Sequence, residues 1–140
     1  MAEPRPEITP EELNRRSIGR LPGLVGLEVL EVGRTGLRGR IPLRPDLLAP
    51  NGYLHAATLI ALADTLAGYG CWAFLPEGAK GFTTVELKSN FLGTLLDGAV
   101  SCEAKPIHLG RSTQVWDAEC SIEGSGKRLA LFRCTQMVLW

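Results

Sequence analysis

Asn51-Gly52-Tyr53-Leu54-His55-Ala56-Ala57-Thr58-Leu59-Ile60-Ala61-Leu62-Ala63-Asp64-Thr65-Leu66-Ala67-Gly68-Tyr69-Gly70-Cys71-Trp72-Ala73-Phe74-Leu75-Pro76 differs from every other part of the chain, because Asp64 is its only formally charged residue. Residues 55–74 read as one helix of roughly 20 residues, a length that spans about 30 Å and so raises the question of a membrane. Three features argue against it. The central aspartate costs about 2.5–3.5 kcal/mol on insertion scales, much of the segment is weakly hydrophobic Ala and Gly, and both flanks read as strands of a sheet. A helix apolar nearly all round is otherwise buried nearly all round, and in 140 residues only a sheet curling about it supplies that cover.

The flanks supply the sheet. Upstream, residues 24–32 and 37–43 alternate between apolar and polar and are split by Gly33-Arg34-Thr35-Gly36, which predicts a β-hairpin. Before them, Thr9-Pro10-Glu11-Glu12-Leu13 has the capping residue, the early proline and the acidic first turn of a helix start, with the helix running to about Arg16. Downstream, residues 82–91, 99–108, 113–122 and 129–139 alternate again. Their separators, Leu96-Asp97-Gly98, Leu109-Gly110-Arg111 and Glu123-Gly124-Ser125-Gly126, suit tight antiparallel turns and predict a four-stranded meander. The expectation is one α+β domain over 1–140, with residues 1–20 as an N-terminal helical extension.

Composition narrows the function classes. Hydrophobic residues make up 45% and charged residues 21%, and 15 basic side chains balance 15 acidic ones. That excludes a disordered chain and a nucleic-acid-binding field, so any anionic ligand is held by a few local Lys or Arg residues. The polar start Met1-Ala2-Glu3-Pro4-Arg5-Pro6-Glu7 lacks a secretion signal, and the expected location is the cytoplasm. Cys71, Cys102, Cys120 and Cys134 form no C-x-x-C pair and sit in apolar or alternating segments, so they read as buried structural thiols and no metal site is expected.

A long apolar helix between a hairpin and antiparallel strands resembles the hotdog fold, in which a curved antiparallel sheet wraps one central helix. The helix start is similar to that of the phenylacetate-pathway and 4-hydroxybenzoyl-CoA types of acyl-CoA thioesterase. There Gly-x-x-His-Gly-Gly opens the helix, and an Asp or Glu follows nine residues after the His. Gly52, His55 and Asp64 match in type and spacing. Thr83-Thr84-Val85-Glu86-Leu87-Lys88-Ser89-Asn90-Phe91-Leu92 resembles the family's first strand after the helix, and His108-Leu109-Gly110-Arg111-Ser112-Thr113 resembles its turn in contact with coenzyme A. Two departures stand out. Ala56-Ala57 replaces the glycine pair, and Ala49 stands where relatives place an Asn or Gln six residues before the His.

The resemblance implies an acyl-CoA thioesterase for aryl or medium-chain acyl groups, a homodimer or homotetramer with its site at the subunit interface. No cofactor is implied beyond the CoA thioester as substrate. Asp64 is the implied catalytic carboxylate, attacking the thioester or activating a water, and both routes stay open. A helix N-terminus presents free N–H groups and a positive dipole end, so Ala56 N–H is the candidate oxyanion hole, with Ala57 N–H as a second donor. Asn51 is a substitute for the missing upstream amide, and His55 is an orienting or helix-start residue. Thr84 corresponds to a Ser or Thr that holds the water or the carboxylate, and Arg111, Ser112 and Thr113 to phosphate or pantetheine contacts. The methyl group of Ala56 restricts room for the thioester, which leaves a non-catalytic acyl-CoA or acyl-carrier binding protein as an alternative, ahead of a hotdog hydratase or dehydratase.

Overall fold

Thr9 accepts a hydrogen bond from Glu12 N–H at 3.2 Å and so caps α1 (Pro10–Ser17), with Pro10 in the first turn as expected. The computed structural model describes residues 2–140. After α1 come α2 (Leu21–Leu24), β1 (Glu28–Gly33), β2 (Gly36–Pro42), a 3-10 turn at Pro45–Leu47 and α3 (Ala56–Ala73). The strands β3 (Gly81–Phe91), β4 (Ala99–Leu109), β5 (Thr113–Ile122) and β6 (Arg128–Leu139) complete the chain.

The structure departs from the sequence expectation in the first strand and in the meander. Leu24 was expected in the first strand but belongs to α2. Pro22 starts that helix well, and Gly23 lets its backbone lie against Ser17, where a Cβ would stand 2.3 Å from the Ser17 carbonyl oxygen. The second departure is in the meander. All neighbouring strands are antiparallel in the order β1-β2-β4-β5-β6-β3, so β3 pairs with β6 and not with β4. Residues 92–98 are therefore a crossover along the end of the sheet. Leu92 N–H bonds Leu129 O at 2.8 Å, Thr94 Oγ1 accepts from Leu54 N–H at 3.1 Å, and Gly98 O accepts from Leu43 N–H at 2.8 Å.

This is the hotdog arrangement, six antiparallel strands curved around α3. The face of the sheet towards α3 carries small side chains, among them Cys102, Ala104, Ala118, Cys120 and Ala130, all buried, which lets the helix approach closely. Gly70 is needed for that approach, because a Cβ there would meet the Trp116 ring at 2.5 Å. Leu59, Leu62 and Leu66 are buried under the sheet, whereas Tyr69 turns to α1, its hydroxyl 2.7 Å from Ser17 Oγ. Cover of α3 is incomplete, contrary to the expectation from its all-round apolarity. Ala57 is exposed, and Ala61, Asp64 and Thr65 are only half-buried on the same side of the helix.

Candidate active site

α3 begins with a self-contained cap. His55 Nδ1 accepts the Ala57 N–H at 2.9 Å and His55 O accepts the Thr58 N–H at 3.0 Å, while Ala56 N–H has no partner among the described residues. The Ala57 N–H expected as a second oxyanion donor is thus taken by His55, and Ala56 alone offers a free N–H. Asn51 is exposed, and its side-chain oxygen accepts the Tyr53 N–H at 3.2 Å. Its carbonyl oxygen is occupied in shaping the turn, which leaves only the amino half of the amide for any other contact.

Asp64 lies eight residues beyond Ala56, about 12 Å along the helix. Its Oδ1 is shielded from solvent and has no hydrogen-bond partner in the chain, the only such buried side-chain atom among the described residues. Burial raises the carboxyl above its ordinary value, since a carboxylate loses hydration there and gains no donor in return. The neighbouring thiols do not compete as nucleophiles. Burial, and secondarily Cys134, pushes Cys71 up to about 12, while burial, and secondarily the charge of Asp64, pushes Cys134 up to about 12.

β3 runs antiparallel to α3 along this open side. Near its start the Phe82 ring lies over Gly68, 3.3 Å from where a Cβ would stand, and beyond its end Thr94 reaches Leu54. Two strand residues advance about 6.6 Å and four helical residues about 6 Å, so stepping from Phe82 to Thr84 matches stepping from Gly68 to Asp64. By that spacing Thr84 falls within about one helical turn of the level of Asp64. Its hydroxyl donates to Gln136 Oε1 at 2.8 Å. Leu87, Ser89 and Phe91 follow on the same face, opposite Cys134, Phe132 and Ala130 of β6.

Arg111, Ser112 and Thr113 are elsewhere. Their turn is locked to the end of β6, with Val138 N–H on Ser112 O at 2.9 Å and the Trp140 indole N–H on Arg111 O at 3.2 Å. The Arg111 guanidinium lies 4.9 Å from the Trp140 ring centre. This turn lies by Phe74, Leu75 and Pro76, beyond the C-terminal end of an 18-residue helix about 27 Å long whose other end carries the free Ala56 N–H, so one chain does not bring the two groups together. A concavity of about 880 Å³ opens on the opposite face of the sheet, lined by Arg38, Lys88, Lys105 and Asp117 among others. None of the residues expected at the site line it. Sequence reading missed Gln136; the available signal was an amide at an inward position between Cys134 and Val138.

A curved sheet around one helix, with a desolvated carboxylate on the helix and a free N–H at its start, is the arrangement that the resemblance to hotdog-fold thioesterases led one to expect. Residues 51–128 match the Thioesterase superfamily, and the chain belongs to that family and is a thioester hydrolase. It is 29% identical over 136 residues to the 1,4-dihydroxy-2-naphthoyl-CoA hydrolase of Escherichia coli, covering 95% of this chain and 96% of that one. It is 30% identical over 111 residues to the enzyme of the same name from Listeria monocytogenes, covering 79% and 89%. A thioesterase from Haemophilus influenzae superposes with a TM-score of 0.91 at 27% identity, covering 99% of this chain and 95% of that one. A mutant thioesterase from Pseudomonas aeruginosa gives 0.88 at 28% identity, covering 93% of both.

Proposed function

We propose that this chain hydrolyses an acyl-CoA with an aryl or medium-chain acyl group on the open side of α3, in the cytoplasm, as a homodimer or a pair of dimers. The observation that carries the reading is the unpartnered, desolvated Oδ1 of Asp64 on the uncovered side of a helix whose first N–H, at Ala56, is also free. A thioester carbonyl held at Ala56 N–H gains a donor for the oxyanion, and Asp64 supplies the nucleophile or the base. The acyl class is supported by the apolar surface along the open side of α3, where Leu87 and Phe91 of β3 are exposed and Phe82 closes the end over Gly68. The Escherichia coli relative takes its name from an aromatic acyl-CoA. Four free buried thiols suit a reducing compartment.

A second copy completes the site in this reading. β3 is an 11-residue edge strand with Val85, Leu87 and Phe91 exposed, and pairing it with the same strand of another copy covers both the edge and the open side of α3. The Arg111-Ser112-Thr113 turn, remote from Ala56 of its own chain, then serves the CoA moiety of a thioester bound largely by the other copy. Thiol release from a panel of aryl- and alkanoyl-CoAs tests the proposal. The expected result is turnover well above buffer, highest for aryl or medium-chain thioesters and lost in Asp64→Ala. Binding of these thioesters without thiol release would overturn it.

A further inference from the structure

Gln136 is a fully buried amide on the face of β6 that meets α3, in register with Thr84 of β3 on one side and Gln114 of β5 on the other. The two glutamines are used differently. Gln114 is consumed by the fold, donating to Phe74 O at 3.0 Å at the end of α3 and accepting the Trp116 indole N–H at 2.8 Å. Gln136 makes no bond to backbone. Its Oε1 accepts from the Thr84 hydroxyl at 2.8 Å and its Nε2 donates to Cys134 Sγ at 3.4 Å. A buried amide normally closes a structural gap, yet this one holds a side chain on an exposed edge strand.

That bond fixes the polarity of the hydroxyl. A hydroxyl has one proton and two acceptor lone pairs, and with its proton committed to Gln136, Thr84 faces the site as an acceptor only. An ionised Asp64 is also only an acceptor, so the two cannot bond each other directly. A water, with two protons, satisfies both. The register slips by one residue between Thr84 and Glu86, a local irregularity of the kind that re-aims a strand side chain.

We infer that Gln136 is a positioning residue, which turns the Thr84 hydroxyl into an acceptor so that Thr84 and Asp64 together hold the attacking water. The inference rests on the reading of Asp64 as the working carboxylate and selects its general-base form. The water oxygen forms a bond to the thioester carbon while one of its protons passes to Asp64. Collapse of the tetrahedral species breaks the C–S bond, and the departing thiolate takes that proton, leaving acid and thiol.

The test is a double-mutant cycle on kcat and KM for the best acyl-CoA of the panel, with Gln136→Met, Thr84→Val and the double variant, each checked for folding by its urea midpoint. The expected result is a fall in kcat of roughly tenfold for each single variant with KM little changed, and no further fall in the double, because Gln136 acts only through Thr84. A folded Gln136→Met with wild-type kcat, or losses that multiply in the double, would overturn the inference. Gln136→Glu, which keeps an acceptor for the Thr84 proton, should restore turnover relative to Gln136→Met; equal losses in both would count against it. Failure of the underlying reading looks different, since Asp64→Asn would then retain turnover whatever Gln136 does.

Discussion

The two edges of the sheet are finished in opposite ways. At β1, Asn14 of α1 donates to Val29 O at 3.0 Å and accepts the Val29 N–H at 2.8 Å, so a side chain takes the bonds that another strand would make. At β3, nearly twice as long, no hydrogen bond reaches the outer edge among the described residues, and apolar side chains stand exposed along it. Open apolar edges invite pairing, and chains that keep them usually have a use for them. The contrast is between a closed edge that belongs to the single chain's stability and an open edge that borders the uncovered side of α3 and, in the function proposed above, is covered by a second copy.

Three changes would sharpen or break that contrast. The largest effect is expected from Leu87→Glu, a charge set into the apolar surface beside the open edge. It should convert the proposed dimer to monomer in sedimentation and lower kcat/KM about 100-fold, while an active monomer would break the link between edge and site. Asn14→Ala leaves the Val29 N–H and C=O without their partner and should cost about 1–3 kcal/mol in urea unfolding, with kcat unchanged. The smallest effect concerns pH. Because burial raises Asp64, the folded chain holds that proton more tightly than the unfolded chain, and this contribution to stability is largest below the ordinary carboxylate value of 3.8 and declines as pH rises through the folded value. Asp64→Asn lacks the decline, so its urea midpoint should gain on wild type as pH increases and then level off. A difference that stays constant with pH contradicts the assigned burial.

Much of this was legible in the residues. The charge-free block around Asp64 marks α3, expected over 55–74 and found as Ala56–Ala73, since an apolar segment between turn residues has few other solutions. Alternation and the turns between segments located all six strands and the β1–β2, β4–β5 and β5–β6 neighbours, but not the partner of β3. Alternation specifies which face a residue takes and is silent on which strand lies alongside, so Asp97-Gly98 read as a hairpin turn when the chain was crossing the sheet. The helix start was legible to within one residue, but its hydrogen bonds were not, because the sequence does not show that His55 turns its ring back onto Ala57. Gln136 stayed hidden for a related reason. Its role depends on the Thr84 pairing between the first and last strands after α3, a contact of 52 residues' separation.

Asp64, isolated on the open side of α3, is the carboxylate proposed to do the work. Thiol release by Asp64→Asn beside wild type, at neutral pH and saturating acyl-CoA, tests it most directly. Asparagine keeps the shape of the side chain and removes the charge and the basic lone pairs, so kcat should fall by about 10²–10⁴-fold while the variant remains folded and keeps the wild-type assembly state. An Asp64→Asn variant turning over at the wild-type rate would contradict the account.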